Sequence, residues 1–139
     1  MKTLALLLSL FITAIIASAQ DTKSVTLTGT IENVATNEGQ ILAALHTQDT
    51  FMKGPGIQNF TCNAKTGSIS FVFEDVKPGT YAISSIHDTN ENQKMDFKDN
   101  GMPNESYAMS GSEITMGPPT FQDVKFEIDG NDLALKLRY

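Results

Sequence analysis

The sequence has 139 residues, a formal net charge of −6 and a single cysteine, Cys62. This length is typical of one domain, since independently folding cores usually need about 100 to 150 residues. An acidic surface disfavours nucleic acids and anionic membranes as partners, and one thiol cannot form an intramolecular disulfide. The composition therefore predicts one acidic domain that folds without covalent cross-links and does not bind nucleic acid.

The first nineteen residues have the pattern of a secretory signal peptide. Lys2 supplies a positive charge, residues 4–16 are largely apolar, and Ala17-Ser18-Ala19 ends the segment with small residues. Signal peptidase accepts only small side chains at such a site, and the apolar run is shorter than the roughly 20 residues that span a membrane. The sequence thus predicts a signal peptide over residues 1–19 and a mature domain over residues 20–139. This domain is expected to be exported to the periplasm or the medium, with no membrane span after cleavage.

Most of the mature chain alternates apolar and polar residues, which is the pattern of half-buried strands. Such segments occur at residues 24–31, 40–47, 59–64, 68–73, 81–86, 121–128 and 133–139. Polar turns at 35–39 and 129–131 are predicted to join the first two and the last two segments as hairpins. The predicted fold is all-β: a single antiparallel immunoglobulin-like or transthyretin-like β-sandwich of about seven strands with one long polar loop.

Residues 49–57 interrupt the alternation. Phe51 and Met52 fit a helical turn that closes one end of the core, and Gly54-Pro55-Gly56 would end any helix there.

The long polar loop carries the clearest functional pattern. Its central part, residues 88–99, reads DTNENQKMDFKD. Oxygen donors suited to a hard cation fall at positions one, three, five, seven, nine and twelve, which is the spacing of a calcium-binding loop. The predicted ligands are Asp88, Asn90, Asn92, the backbone carbonyl of Lys94, Asp96 and Asp99.

Two features distinguish this loop from a helix-flanked EF-hand. Gln93 stands at the sixth position, where EF-hands have glycine, and a strand rather than a helix precedes Asp88. We therefore predict a structural calcium ion that holds together carboxylates which would otherwise repel one another. Zinc is not predicted, because His46, His87 and Cys62 lack zinc-ligand spacing. The alternative is a loop rich in Asp and Asn that is held by side-chain-to-backbone hydrogen bonds without a metal.

Five short motifs and the single residue Asp96 carry a resemblance to a known family. The motifs are FEDVKPGTYA at 73–82, HDTNEN at 87–92, GMPNE at 101–105, YAMS at 107–110 and PTF at 119–121. Together they resemble the DUF2141 family of exported bacterial proteins, and the resemblance covers nearly all of the mature chain. It implies a β-sandwich and export rather than an activity. The family's Pro-x-Glu element maps onto Pro103-Asn104-Glu105 and adds Glu105 to the calcium ligands. The family's loop has glycine where this chain has Gln93.

Two other classes remain open. One is a partner- or glycan-binding module of the cell envelope without metal, since a β-sandwich can present its end loops to a protein or a glycan. The apolar residues of its binding loops would be Phe51, Met52, Met102 and Tyr107. The other is a hydrolase with Asp88 and Glu105 as paired carboxylates. We expect no catalysis, because the sequence has no nucleophile elbow, Cys-His pair or phosphate-binding glycine loop.

Overall fold

The computed structural model describes residues 23–111 and 117–139. The predicted signal peptide and its cleavage site lie outside the described residues. The elements are β1 (Val25–Val34), β2 (Gln40–His46), β3 (Gln58–Asn63), β4 (Gly67–Val76), β5 (Gly79–Asp88), β6 (Tyr107–Met109), α1 (Phe121–Val124), β7 (Phe126–Ile128) and β8 (Leu133–Arg138). Within the two described ranges, no helix has the length and apolar character that crossing a bilayer would require.

The strands form two sheets. The smaller sheet has the order β4-β1-β8, and the larger has the order β3-β2-β5-β6, with β7 also paired to β5. β1 and β8 run parallel, from Leu27 opposite Leu133 to Glu32 opposite Arg138, and the other pairs of the described residues are antiparallel. The predicted all-β sandwich is confirmed; residues 23–111 and 117–139 contain eight strands instead of about seven, and one of their pairs is parallel.

The main core lies between the sheets, where alternate residues of β1, β4 and β8 meet alternate residues of β2 and β5. Its largest fully buried apolar members are Phe71, Phe73, Leu27, Ile31, Ile41, Leu45, Ile83, Leu137 and Val34. Gly29 also faces inward, because a Cβ atom there would lie 2.0 Å from Cζ of Phe71. Burying one large apolar side chain contributes about 1.5 to 3 kcal/mol, so the alternating pattern determines which face of each strand points inside.

Both predicted hairpins are wrong. β1 pairs with β4 and β8, whereas β2 pairs with β3 and β5, so the turn at 35–39 carries the chain from one sheet to the other. The turn at 129–131 likewise connects β7 of the larger sheet to β8 of the smaller one. Alternation identifies the buried face of a strand, but it is the same whichever strand lies alongside.

The single strand predicted over 121–128 is also wrong, because α1 occupies its first half and β7 its second. Thr120 donates hydrogen bonds from its N–H (2.7 Å) and its hydroxyl (2.6 Å) to the carboxylate of Asp123. This is the contact of a helix-capping box, and it favours a helical turn that buries Phe121 and Val124 together.

A second, smaller apolar cluster lies at one end of the outer face of the larger sheet. Its buried members are Phe51, Ala82, Phe121 and Val124. The predicted helical turn is present, since the N–H of Phe51 donates to the carbonyl of Thr47 at 3.0 Å. Phe51 packs edge-on against Phe121 with ring centroids 5.9 Å apart. Met52 does not join this cluster and is 63 % exposed.

Candidate functional site

The polar loop connects β5 to β6 and spans residues 89–106. Its first end is fixed by β5, whose last residue, Asp88, lies opposite Gln40 of β2. Its second end is fixed where the N–H of His87 donates to the carbonyl of Ser106 at 2.9 Å. The loop is therefore anchored to the larger sheet on both sides.

Asp88 lies completely buried at the base of the loop. Its Oδ1 accepts the backbone N–H of Asn92 at 3.1 Å. Its Oδ2 accepts the backbone N–H of Gln93 at 2.8 Å and the side-chain amide of Gln40 at 3.1 Å. A buried carboxylate is strongly destabilising unless its oxygens are hydrogen-bonded, and these three donors fulfil that need. Asp88 thus ties the first turn of the loop to the sheet.

Glu105 is the second buried carboxylate and is 7 % exposed. Its Oε1 accepts the N–H of Thr89 at 3.0 Å and its Oε2 accepts the N–H of Asp96 at 3.2 Å. Neither Asp88 nor Glu105 has a basic partner in the described part of the chain, where both ion pairs belong to Glu32. Glu105 therefore links the start and the middle of the loop through backbone donors alone.

The carboxylate of Asp96 accepts hydrogen bonds from the side chains of both Asn90 and Asn92. The amide nitrogen of Asn90 donates to its Oδ2 at 2.6 Å, and that of Asn92 donates to its Oδ1 at 2.9 Å. The amide oxygens accept backbone N–H groups instead: Asn90 from Asn92 at 3.2 Å, and Asn92 from Lys94 at 2.9 Å. These are Asx turns, the local bonds that hold such loops in shape.

Five of the predicted ligands thus belong to one hydrogen-bonded network: Asp88, Asn90, Asn92, Asp96 and Glu105. We call these five residues the loop network. Lys94 touches it only through its N–H. Asp99 stands apart: it is exposed beside a small hairpin in which Phe97 bridges Pro103. Within the described residues its side chain has no hydrogen bond or ion pair, so we leave it out of the candidate site.

The backbone at Gln93 has the conformation that glycine adopts readily. Its φ is +65°, and that of Glu91 is +58°. The left-handed turn that EF-hands form with glycine at the sixth position is thus formed here by glutamine. Gly39, with φ +70°, packs against the start of the loop, because a Cβ atom on it would lie 2.2 Å from the carbonyl oxygen of Asp88.

The chemistry of the loop network fits a hard cation. Carboxylate and carboxamide oxygens are the donors that calcium prefers. Oδ1 of Asp88 and both oxygens of Glu105 each accept one hydrogen bond, which leaves each a second lone pair. Among the described residues, no three Asp, Glu, His or Cys side chains group as a metal centre. A cation here would therefore need the oxygens of Asn90 and Asn92 as well.

A groove of about 610 Å³ adjoins the loop on the outer face of the larger sheet. Its floor includes Leu42, Ala44, His46, Ser84 and Ile86. One end wall is formed by Gln93, Lys94, Met95 and Phe97 of the loop, and the other by Phe51, Met52, Gly54 and Pro55. The sequence pattern did not predict this groove; its available signal is the apolar residues Leu42, Ala44 and Ile86 at outward positions of β2 and β5.

His46 lies on the groove floor and is almost fully buried. Its Nε2 is 3.0 Å from Oγ of Ser84, and its Nδ1 is 3.4 Å from Oγ1 of Thr50. Burial lowers the pKa of His46 below its ordinary value of 6.5, so the ring is neutral near pH 7. The floor of the groove thus carries hydrogen-bonding groups that already satisfy one another.

The family model described as "Uncharacterized protein conserved in bacteria (DUF2141)" matches residues 30–136. Neither a curated protein nor a solved structure matches the chain. The matched segment runs from β1 into β8 and includes the whole loop network. The chain therefore belongs to the DUF2141 family.

Proposed function

We propose that this chain is an exported, non-catalytic β-sandwich domain whose loop network binds a calcium ion, and that this ion orders one end of the fold. The observation that supports the proposal is the network itself. Three carboxylates, those of Asp88, Asp96 and Glu105, are joined in it without an ammonium or guanidinium group from the described residues.

The charge of the loop favours a cation. Residues 88–105 contain five carboxylates and two lysines. Carboxylates held close together repel one another, and a divalent cation between them removes that repulsion. Asp88, Asn90, Asn92, Asp96 and Glu105 would hold the ion, and the ion would supply positive charge and a cross-link between the two ends of the loop. Calcium is preferred over magnesium because the donors are numerous and the loop is not a rigid octahedral cage.

A calcium site of low affinity would be sufficient in the exported location that we propose. Extracellular calcium modules commonly bind with Kd values of about 10⁻⁴ to 10⁻³ M. Export is supported by the positively charged start, the apolar run and the small-residue end of residues 1–19. Mass spectrometry of the protein recovered outside the cytoplasm tests this part, and we expect its N-terminus to be Gln20.

Thermal melting in calcium and in chelator tests the metal. Calcium at about ten times its Kd stabilises the folded form by about 1.4 kcal/mol, which raises the melting temperature by roughly 3 to 5 °C per kcal/mol. Asp96→Asn removes one charge from the loop network and should abolish the rise. Asp99→Asn is the matched control, since it removes one charge from the same loop outside the network, and it should keep the rise. No rise at millimolar calcium, or an equal loss in both variants, would refute the proposal.

A further inference from the structure

The groove beside the loop is an open, mostly apolar surface that is large enough for a small molecule. Its volume of about 610 Å³ falls within the roughly 300 to 1,000 Å³ typical of ligand pockets. Leu42, Ala44 and Ile86 give the floor an apolar surface. Met52 and Phe97, on opposite walls, are 63 % and 61 % exposed. An apolar floor between two exposed apolar walls marks a surface that gains free energy when an apolar ligand covers it.

The charge around the groove selects the head group of that ligand. Of the described residues that line it, none is Asp or Glu, although the chain has 16 acidic residues. Lys94 lines the groove from the loop side, and its ammonium forms no ion pair with any described residue. The neutral His46 adds no second charge. The groove therefore offers one unpaired positive charge next to an apolar surface.

The layout of the groove favours an elongated ligand. The loop starts at Asp88, which pairs with Gln40 at the beginning of β2. Lys94 therefore lines the groove at the end where Leu42 lies. At the other end, Phe51 packs against the ring of His46 with centroids 5.8 Å apart. The five strand residues from Leu42 to His46 are separated by four steps, which span about 13 Å. Because His46 and Ser84 lie 3.0 Å apart as hydrogen-bond partners, an apolar ligand body would leave neither of them without a partner.

We propose that this groove binds a free carboxylic acid with an unbranched aliphatic body, of the medium-chain fatty acid class. Its carboxylate pairs with the Lys94 ammonium and its aliphatic body lies on Leu42, Ala44 and Ile86. This function goes beyond calcium binding. The Lys94 side chain is not part of the loop network, and hydrogen bonds to Asp88, Asn92 and Glu105 hold the loop that carries it.

Calorimetric titration of the purified protein with decanoate tests the proposal, with 1-decanol and decyltrimethylammonium as ligands of equal chain length. The buffer contains no calcium, since calcium precipitates fatty carboxylates. We expect decanoate to bind at one site per chain, decanol to bind about tenfold more weakly, and the cationic ligand to bind most weakly. Comparable binding of decanol and decanoate would overturn the assignment of the head group.

Three variants localise the site. Lys94→Glu should weaken decanoate binding by about tenfold or more and leave decanol binding nearly unchanged. Lys98→Glu, which changes the same charge on an exposed residue of the same loop outside the groove lining, should bind decanoate like the unmodified protein. Ala44→Phe fills the floor from the outer face and should abolish binding of both ligands, with its fold checked by circular dichroism. Binding that survives Ala44→Phe, or that falls equally in both lysine variants, would overturn the proposal.

Two further readouts separate other occupants of the groove. Co-sedimentation with zwitterionic lipid vesicles that is lost in Ala44→Phe would assign the groove to a membrane surface. Concentration-dependent dimerisation lost in the same variant would assign it to a second copy of the chain. Either result, without decanoate binding, would overturn the fatty acid proposal.

Discussion

The carboxylate of Glu105 accepts the backbone N–H of Asp96 at 3.2 Å, so the residue that ends the loop also fixes the residue at its centre. The other oxygen of Glu105 holds Thr89 at the start of the loop. Asp88 holds the first turn in the same way through Asn92 and Gln93. Two buried carboxylates thus determine the shape of a polar segment that contributes little apolar surface to the core.

Glu105→Gln should destabilise the fold. Glutamine has one acceptor oxygen and one NH₂ group, so one of the two backbone N–H groups that face Glu105 would lose its acceptor. An unsatisfied buried donor costs about 1 to 3 kcal/mol, which urea denaturation measures as a lower midpoint. Glu91→Gln is the matched control on an exposed residue of the same loop and should stay within about 0.5 kcal/mol. Equal midpoints for the two variants would show that Glu105 does not hold the loop.

Gln93→Gly should stabilise the fold. A left-handed backbone is unfavourable by roughly 1 to 2 kcal/mol for residues other than glycine, and Gln93 has φ +65°. The larger unfolded-state entropy of glycine offsets part of this gain, so we expect a net stabilisation of up to about 1 kcal/mol in urea denaturation. Lys94→Gly provides the control, because Lys94 does not have a positive φ, and it should lose about 0.5 to 1 kcal/mol. A loss of stability in both variants would contradict the strain at Gln93.

Gly39→Ala should be more damaging than Gly101→Ala. Both glycines have positive φ, +70° and +80°, so both substitutions introduce the same kind of backbone strain. Only at Gly39 would the new Cβ atom also collide, at 2.2 Å from the carbonyl oxygen of Asp88, while nothing lies within 4 Å at Gly101. We expect Gly39→Ala to lose at least about 1 kcal/mol more in urea denaturation. Similar losses would show that Gly39 does not pack closely on the loop.

The stability of the protein should fall steeply above pH 10 because of Tyr139. Burial raises the pKa of Tyr139 from 10 to about 12, and its hydroxyl lies 2.6 Å from Oγ of Ser85. Between these values the unfolded chain has lost a proton that the folded chain keeps, so the stabilisation present below pH 10 is lost as the pH rises towards 12. Two pH units correspond to about 2 to 3 kcal/mol.

Tyr139→Phe provides the comparison for this pH dependence. Burial also raises the pKa of the Cys62 thiol. Both proteins keep Cys62, so only its charge interaction with Tyr139 contributes to the difference between them. The difference in unfolding free energy between the two proteins should shrink from pH 10 to pH 12. A constant difference across this window would contradict the burial of the Tyr139 hydroxyl.

The sequence predicted the buried faces of several strands well, because large apolar residues such as Phe71 and Phe73 repeat with period two and are buried. It could not predict strand neighbours, since the turn at 35–39 has the same composition whether it closes a hairpin or connects two sheets. The capping pair Thr120 and Asp123 was available in the sequence, but the apolar alternation that follows it suggested a longer strand.

The sequence also predicted only part of the candidate site. Alternate placement of Asp88, Asn90 and Asn92 follows from local spacing, and these residues do share one network. Spacing alone also placed Asp99 in the site. In the structure the chain reverses at residues 98–101, where the N–H of Gly101 donates to the carbonyl of Lys98 at 2.8 Å. Residue spacing does not reveal such a reversal. The sequence carries only a partial signal for the groove: Leu42, Ala44 and Ile86 are apolar at outward strand positions, but the walls come from segments that only the folded chain brings together.

Calcium titration of the isotopically labelled protein, followed by the amide resonances in NMR spectra, shows directly whether the loop network binds an ion. It reports binding and its location in one measurement. We expect saturable shifts that are concentrated at residues 88–105, with the largest changes at the N–H groups bound to Asp88 and Glu105. Asp96→Asn should show no comparable shifts. Unchanged spectra at millimolar calcium, or shifts centred elsewhere on the chain, would contradict a calcium ion in the loop network.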